Sequence, residues 1–424
     1  MDIADESLIG RRYYLIYFLK HFFINLIVSF MKKYLFFAVA ACMLAACSTD
    51  ETVSEVATQQ EALSFSGSVS NMTRSIGLVS RIDQVESMNV WCDINEAGAT
   101  KKYFSDTFNR TNAGYVSAKS YYWLSDISDA KTMTFTAFHN AVQTASGTLT
   151  GFAPEASAGV QKDVLVAQHV STKKESPSVK LNFRHILSQI DVKVRNTNPL
   201  LKCTVSGIRI GYVKTASSKF QYSGGVTDAI DAVNVAQSDW TLVDFATPAA
   251  NETMAEKYKY EQAVTWSTDD NQGNFVTPDK QLGGFTPWIL LPQNMKKFDK
   301  NDKGEKIYAH SFAELLKDQQ GNALPDVTGS YIGLKVTISY VNEGEETVII
   351  PNQWVYWPID ELTDWNPGNK YTYVIDINSG WYPTPPEPGP EPGPGPLVPV
   401  FENIKFSPDC TVDAWDDGGT YDVF

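Results

Sequence analysis

Val179-Lys-Leu-Asn-Phe-Arg-His-Ile-Leu-Ser-Gln-Ile-Asp-Val-Lys-Val-Arg195 decides the fold class. Val179, Leu181 and Phe183 alternate with Lys180, Asn182 and Arg184; after a short turn, Ile190, Val192 and Val194 alternate with Asp191, Lys193 and Arg195. Period-two alternation sets one face of each strand on a core and the other in water, the pattern of antiparallel sheets stacked as sandwiches. Toward the N-terminus the pattern recurs in Met133, Phe135 and Ala137, spaced by threonines, and in Leu63, Phe65, Gly67 and Val69, spaced by serines. Toward the C-terminus it recurs in Ile208, Ile210 and Tyr212, in Leu334, Val336, Ile338 and Tyr340, and in Tyr371, Tyr373, Ile375 and Ile377. An aromatic content of 12% with many Val and Thr suits strands better than helices. One short helix is expected in the second half. Ser311 and Glu314 form a capping box, Phe312, Leu315 and Leu316 give an apolar side, and Gly321 can end it. Long strand–helix–strand spacing is missing, so no parallel sheet is expected.

Upstream of this body, Met31-Lys-Lys is followed by the apolar run Tyr34–Ala46 and closes on Leu44-Ala45-Ala46-Cys47. A charged start, an apolar run too short to span a bilayer and small residues before a Cys make a lipoprotein signal. Cys47 is therefore the expected lipidation site and first residue of the mature chain. Residues 1–30 are expected to be an over-extended gene start and 31–46 the signal peptide. Tyr13–Phe30 is apolar, but Lys20, His21 and Asn25 interrupt it, and a central charge costs about 3 kcal/mol on insertion scales. Ser48–Gln60 reads as a polar tether. Asp50 and Glu51 resemble an acidic signal for export to the outer face of the outer membrane.

The chain carries a net charge of −14. The excised segment holds five Lys/Arg against three acids, which takes the mature chain to about −16 and argues against nucleic acid as a partner. Cys92, Cys203 and Cys410 remain in the mature body with no metal spacing, so idle or buried thiols are expected, one disulfide staying open. Ser171–Ser178 is charged and free of large apolar residues, and is read as the joint between two sandwiches, 75–174 and 175–380. Residues 381–396 form a Pro/Gly-rich linker. Its core, Pro383–Pro396, is expected to run as polyproline II for roughly 40 Å. Residues 397–424 are too few to fold alone. They nonetheless carry Val398, Val400, Ile404 and Phe406 on one alternating face, broken by Glu402.

No catalytic constellation emerges, so no enzyme, cofactor or metal site is expected. His139, His169, His185 and His310 have no metal-ligand spacing, and no nucleophile elbow, P-loop or dinucleotide fingerprint occurs. His185 reads as a hydrogen-bonded structural residue. Glu343, Glu345 and Glu346 around Gly344 read as a solvated hairpin tip, and Trp91, Trp123, Trp288 and Trp365 as core.

The order of landmarks resembles the fimbrillin-like lipoproteins that build type V pili. It runs from the Cys47 lipobox to the strand ending in Asn71-Met-Thr-Arg74, then Trp123 and Thr134-Phe-Thr-Ala-Phe138. It continues through Asp163-Val-Leu-Val-Ala167, the opening stretch, and Leu290-Leu-Pro-Gln293. Trp365-x-Pro-Gly-x-Lys-Tyr-x-Tyr373 and Val412-x-x-Trp415 close it. The resemblance implies an all-β chain of two tandem transthyretin-like Greek-key sandwiches. It also implies a trypsin-like cut after an arginine, here Arg74-Ser75 with Arg81 as a second candidate. That cut, at the end of a tether-and-strand segment 47–74, would remove a first strand built on Leu63, Phe65 and Val69. A donor strand from another subunit, self or related, would fill the groove; Val398, Val400, Ile404 and Phe406 are its expected residues. The expected place is the outer membrane and the fimbria at the surface of a Gram-negative bacterium, supporting adhesion. The proline-rich spacer is longer than a plain shaft subunit needs, which leaves tip and anchor roles open. The alternative is a non-polymerising surface lipoprotein that binds glycan or host ligand, to which an exposed Trp354/Trp357 pair would point.

Overall fold

The computed structural model of the protein describes residues 61–69, 82–112, 114–176, 178–223, 235–249, 252–269, 274–299, 329–359, 364–377 and 409–414. Of these, 56% lie in strands and 6% in helices, so the all-β expectation with little helix holds. The α-helix among them is α1 (Met254–Lys257), whose N-cap Thr253 accepts a hydrogen bond from the Glu256 N–H. The helix expected near Ser311–Gly321 lies outside the described residues.

The first half builds β1 (Phe65–Val69), β2 (Ser87–Glu96), β3 (Ala99–Thr111), β4 (Gly114–Ser117), β5 (Lys131–His139), a short β6 (Thr148–Thr150), β7 (Leu165–Ser171) and β8 (Val179–His185). Seven of these hydrogen-bond in the circular order β1-β4-β3-β2-β5-β7-β8. The pairings of this first body close into a barrel. β1 closes it, lying parallel to β8 on one side and meeting β4 antiparallel at Phe65↔Tyr115 on the other. The inward positions of β8, Val179, Leu181 and Phe183, are buried with Val90, Phe104, Phe108, Met133 and Phe135 in one cluster.

Ser171–Ser178 is not a joint between bodies. It connects β7 to β8 inside the barrel, with Leu165 paired to His185 and Val166 to Arg184. Glu175 ties it down, accepting from the Ser171 hydroxyl at 2.5 Å and lying 2.6 Å from His169 Nε2. The chain leaves the barrel two residues after β8 ends, through Ile186 and Leu187, both buried.

The second half is a two-sheet sandwich. One sheet has the order β14 (Thr277–Gln281), β9 (Ser188–Asn196), β18 (Asn369–Asp376), β19 (Asp409–Ala414), with β15 (Trp288–Leu290) also pairing β9. The other has the order β13 (Lys259–Ser267), β10 (Leu201–Gly211), β16 (Tyr331–Asn342), β17 (Glu345–Pro358). Ile190, Val192, Val194, Tyr371, Tyr373 and Ile375 of the first sheet share a core with Ile208, Ile210, Leu334, Val336, Val355 and Trp357 of the second. A third small sheet, β12 (Trp240–Leu242), β11 (Ser217–Gln221), β6, joins the halves through Phe220↔Leu149.

Both halves contain a parallel pair, β1 with β8 and β9 with β18, which corrects the purely antiparallel expectation. Each parallel partner is reached through a long run of intervening strands rather than a crossover helix, so local spacing carries no sign of it. The hairpin tip is as expected: Glu343 and Gly344, at φ 52° and 86°, turn β16 into β17. Cys92 and Cys203 are free and buried, and burial pushes the Cys203 thiol up to about 12. Neither is poised for reaction at neutral pH.

Candidate functional site

The candidate site is the slot that β1 fills. Its sequence, Leu63-Ser-Phe-Ser-Gly-Ser-Val69, alternates apolar residues and one glycine with three serines. Leu63 is buried and Phe65 has no exposed surface. The Phe65 ring meets Phe108 edge-on at 4.8 Å and Phe135 edge-on at 5.3 Å between centroids. That geometry suits the ring quadrupoles and adds about 0.5–1.5 kcal/mol per pair beyond area burial. Phe135 in turn meets Trp123 at 6.0 Å.

Backbone bonds hold both flanks. Register with β8 runs from Phe65↔Val179 to Val69↔Phe183, and the Val179 N–H donates to the Ser64 carbonyl at 3.0 Å. Just before β1, the Leu63 N–H donates to the Tyr121 carbonyl at 2.7 Å and the Trp123 N–H to the Glu61 carbonyl at 3.2 Å. Outward-facing polar rungs add to this. The Ser178 hydroxyl donates to Ser66 at 2.8 Å and Ser68 to Asn182 at 2.5 Å. Opposite, Gly114 has φ 115°, and a Cβ there would lie 2.7 Å from the Phe65 carbonyl oxygen. A glycine is what lets β4 begin against β1.

Where β1 ends, a 3₁₀ turn, Ile82–Gln84, comes back over it. Tyr115, the cross-strand neighbour of Phe65, donates its buried hydroxyl to the Val85 carbonyl at 2.6 Å and reaches the Ile82 carbonyl at 3.0 Å. Burial, the largest cause, pushes the Tyr115 phenol up to about 12, so it stays a donor. Arg74, Ser75 and Arg81 lie outside the described residues, between Val69 and Ile82 in the chain. The expected donor residues Val398, Val400, Ile404 and Phe406 lie outside them too. The tail residues that are described, Asp409–Ala414, pair antiparallel along Asn369–Val374 of the same chain, so this part of the tail is docked rather than loose.

The remaining predicted residues are not gathered at β1. His185 is buried, its Nδ1 2.9 Å and 2.8 Å from the two Asp163 carboxylate oxygens, the structural role expected of it. Trp123, Trp288 and Trp365 are core residues. Trp91 is half-buried on the barrel's outer side under the Lys102 ammonium, 3.6 Å from the ring centre. Trp354 and Trp357 form no surface pair: Trp357 is buried, while Trp354 sits on the outer face beside the Arg209 guanidinium at 4.3 Å. A separate cleft of about 340 Å³, lined by Lys214, Gln237, Ser238, Trp240, Leu242, Pro292, Gln293 and Asn294, opens beside β12.

The fimbrillin-like family profile matches residues 73–387, most of the described body. The chain belongs to the fimbrillin-like family. The matched span begins after β1 and stops within the proline-rich stretch, so the closing strand and the tail both lie outside it. Family membership gives this fimbrillin-like chain a fimbrial role at the cell surface and other fimbrial subunits as partners. Among solved structures, a proposed cell adhesion protein from Bacteroides uniformis ATCC 8492 is 13% identical at a TM-score of 0.40, over 85% of this chain and 100% of that one. One from Parabacteroides distasonis ATCC 8503 is 10% identical at 0.39, over 82% and 98%. Scores at that level carry no function across. No curated protein matches the chain.

Proposed function

We propose that this fimbrillin-like chain is a pilus subunit, exported as a lipoprotein on Cys47 and assembled by strand exchange at β1. A trypsin-like protease cuts at Arg74-Ser75, or at Arg81, and severs β1 from the body it closes. The observation that carries the reading is that β1 alone completes the barrel. Its loss leaves β8 and β4 as open edges flanking a slot floored by Phe108, Phe135 and Leu181. An open edge over an apolar slot takes an extended segment, main-chain bonds giving affinity and alternate side chains giving specificity. A neighbouring subunit, self or related, supplies the donor, and this chain's own tail segment Leu397–Phe406, carried on the Pro383–Pro396 spacer, is its donor to the next slot.

The test is to follow the chain in cells. The surface form should begin at Ser75 or Ile82, and should run in high-mass ladders that survive mild detergent. Ladders built from chains that still contain residues 61–69 would refute the exchange. The anchor is tested separately: Cys47→Ala should abolish lipid labelling and move the protein off membranes, and a labelled Cys47→Ala chain would refute lipidation there.

The second reading, a non-polymerising surface lipoprotein that binds glycan, draws on the cleft beside β12. Its Trp240 wall and its Lys214, Ser238 and Asn294 side chains suit a small polar ring. Retention on a glycan array by a chain that never forms ladders would favour it.

A further inference from the structure

At the middle of β1 the slot takes a side chain only if a neighbour shifts. A Cβ placed on Gly67 would lie 2.8 Å from Ile82 Cδ1, 3.4 Å from Ile82 Cγ1 and 3.1 Å from the Leu181 carbonyl oxygen. The Ile82 Cδ1 contact is under 3 Å, which real Cβ atoms essentially never show, and the Leu181 contact, to backbone of β8, is tighter than nine in ten real Cβ contacts. The Ile82 obstacle is the end of a side chain whose backbone is fixed. Ile82 is half-buried against the barrel core, and the Tyr115 hydroxyl grips the turn that carries it by two carbonyls. Both candidate cut sites precede Ile82, so Ile82 stays with the body when β1 departs.

We infer that Ile82 makes the vacated slot a strand filter. It accepts an extended segment of another subunit only with glycine at the Gly67 position, flanked two residues away on each side by large apolar residues, as Phe65 and Val69 flank Gly67. This deepens the strand-exchange reading and rests on it. The filter also bears on the choice between self and related partners. In the tail, placing Val398 or Val400 in the Phe65 position brings Val400 or Glu402 under Ile82. The tail's glycines, Gly418 and Gly419, have Asp416 and Thr420, and Asp417 and Tyr421, at the flanking positions. No register of this chain's own tail meets the pattern. The subunit whose strand fills this slot is therefore a different chain, and this chain's tail is delivered to a slot without such a block.

Two measurements test the filter. In the uncut chain, Gly67→Val should lower the melting temperature, and adding Ile82→Ala should recover part of that loss, a coupling expected of contacting side chains. In the trypsin-cut chain, a labelled peptide of residues 61–69 should bind about tenfold or more tightly than the same peptide carrying Gly67→Val, since forcing a branched side chain into a packed site is strongly disfavoured. Ile82→Ala should narrow that gap to about threefold or less. Equal binding of the two peptides to wild-type, or a gap unchanged by Ile82→Ala, overturns the filter. Failure of both peptides to bind, with the coupling present in the uncut chain, overturns the exchange reading and the filter's role in assembly, while the packing at Gly67 stands. A purified cut wild-type chain that forms ladders by itself overturns the exclusion of self.

Discussion

Phe65→Ala should cost the uncut chain about 3–5 kcal/mol, the range for deleting a fully buried ring. Phe65 has no exposed surface and is gripped edge-on by Phe108 and Phe135. The lost terms are transfer of the ring, two aromatic contacts and a cavity that β8 and β4 cannot both collapse into. Against a whole-domain stability of about 5–15 kcal/mol, that is a large share from one side chain, and it falls on the strand that closes the barrel. A control on the neighbouring β4, Val116→Ala, should cost about 0.5 kcal/mol or less, because Val116 is 40% exposed. Urea unfolding of the two variants checks the pair. A Phe65→Ala cost near that of the control would mean that β1 is a passive cover, and the strand-exchange scheme would lose its physical basis.

What the sequence made legible follows from range. β1, β5, β8, β9, β10, β16 and β18 sit where period-two alternation puts them, since that pattern is a local consequence of burying one face. The tip at Glu343-Gly344 was legible for the same reason. Closure of the barrel was not. Phe65 pairs with Val179, more than a hundred residues away, and alternation fixes which face is buried without fixing which strand lies alongside. The Ser171–Ser178 stretch looks like a joint for a different reason. Charged, apolar-poor stretches mark any exposed hairpin end, and Ser171–Ser178 is one; the true crossing, Ile186-Leu187, is apolar because it is buried between the halves. For Trp354 and Trp357 the spacing itself separates the pair. Three residues apart on one strand they fall on opposite faces, so one had to enter the core.

At the site, the residues of β1 were legible and their constraint was not. Gly67 reads as one weak position in a strand, where glycine costs backbone entropy. Its reason appears only when Ile82, returning from fifteen residues downstream, is seen lying across it. The clamp on Ile82 is similarly non-local, because Tyr115 reads from sequence as one more strand aromatic.

Ile404→Asp together with Phe406→Asp should abolish incorporation into ladders while leaving the monomer's melting temperature within about 2 °C of wild-type, the scatter of surface substitutions. The two changes would drive carboxylates into the apolar slot of the accepting subunit, where an unpaired charge costs several kcal/mol or stays out altogether. The monomer is spared by the topology. The tail strand β19 lies at the edge of the order β14-β9-β18-β19, and its pairing runs through Asp409–Ala414, beyond the altered positions. Its release on delivery of the tail would leave the other strands of that sheet paired. A chain that keeps its melting temperature and lipidation but is missing from detergent-resistant ladders would place the defect in donation alone. Normal incorporation of the doubly substituted chain would remove Leu397–Phe406 as the donor. The cis pairing of β19 on β18 would then be the tail's whole role, a strand that finishes its own sandwich.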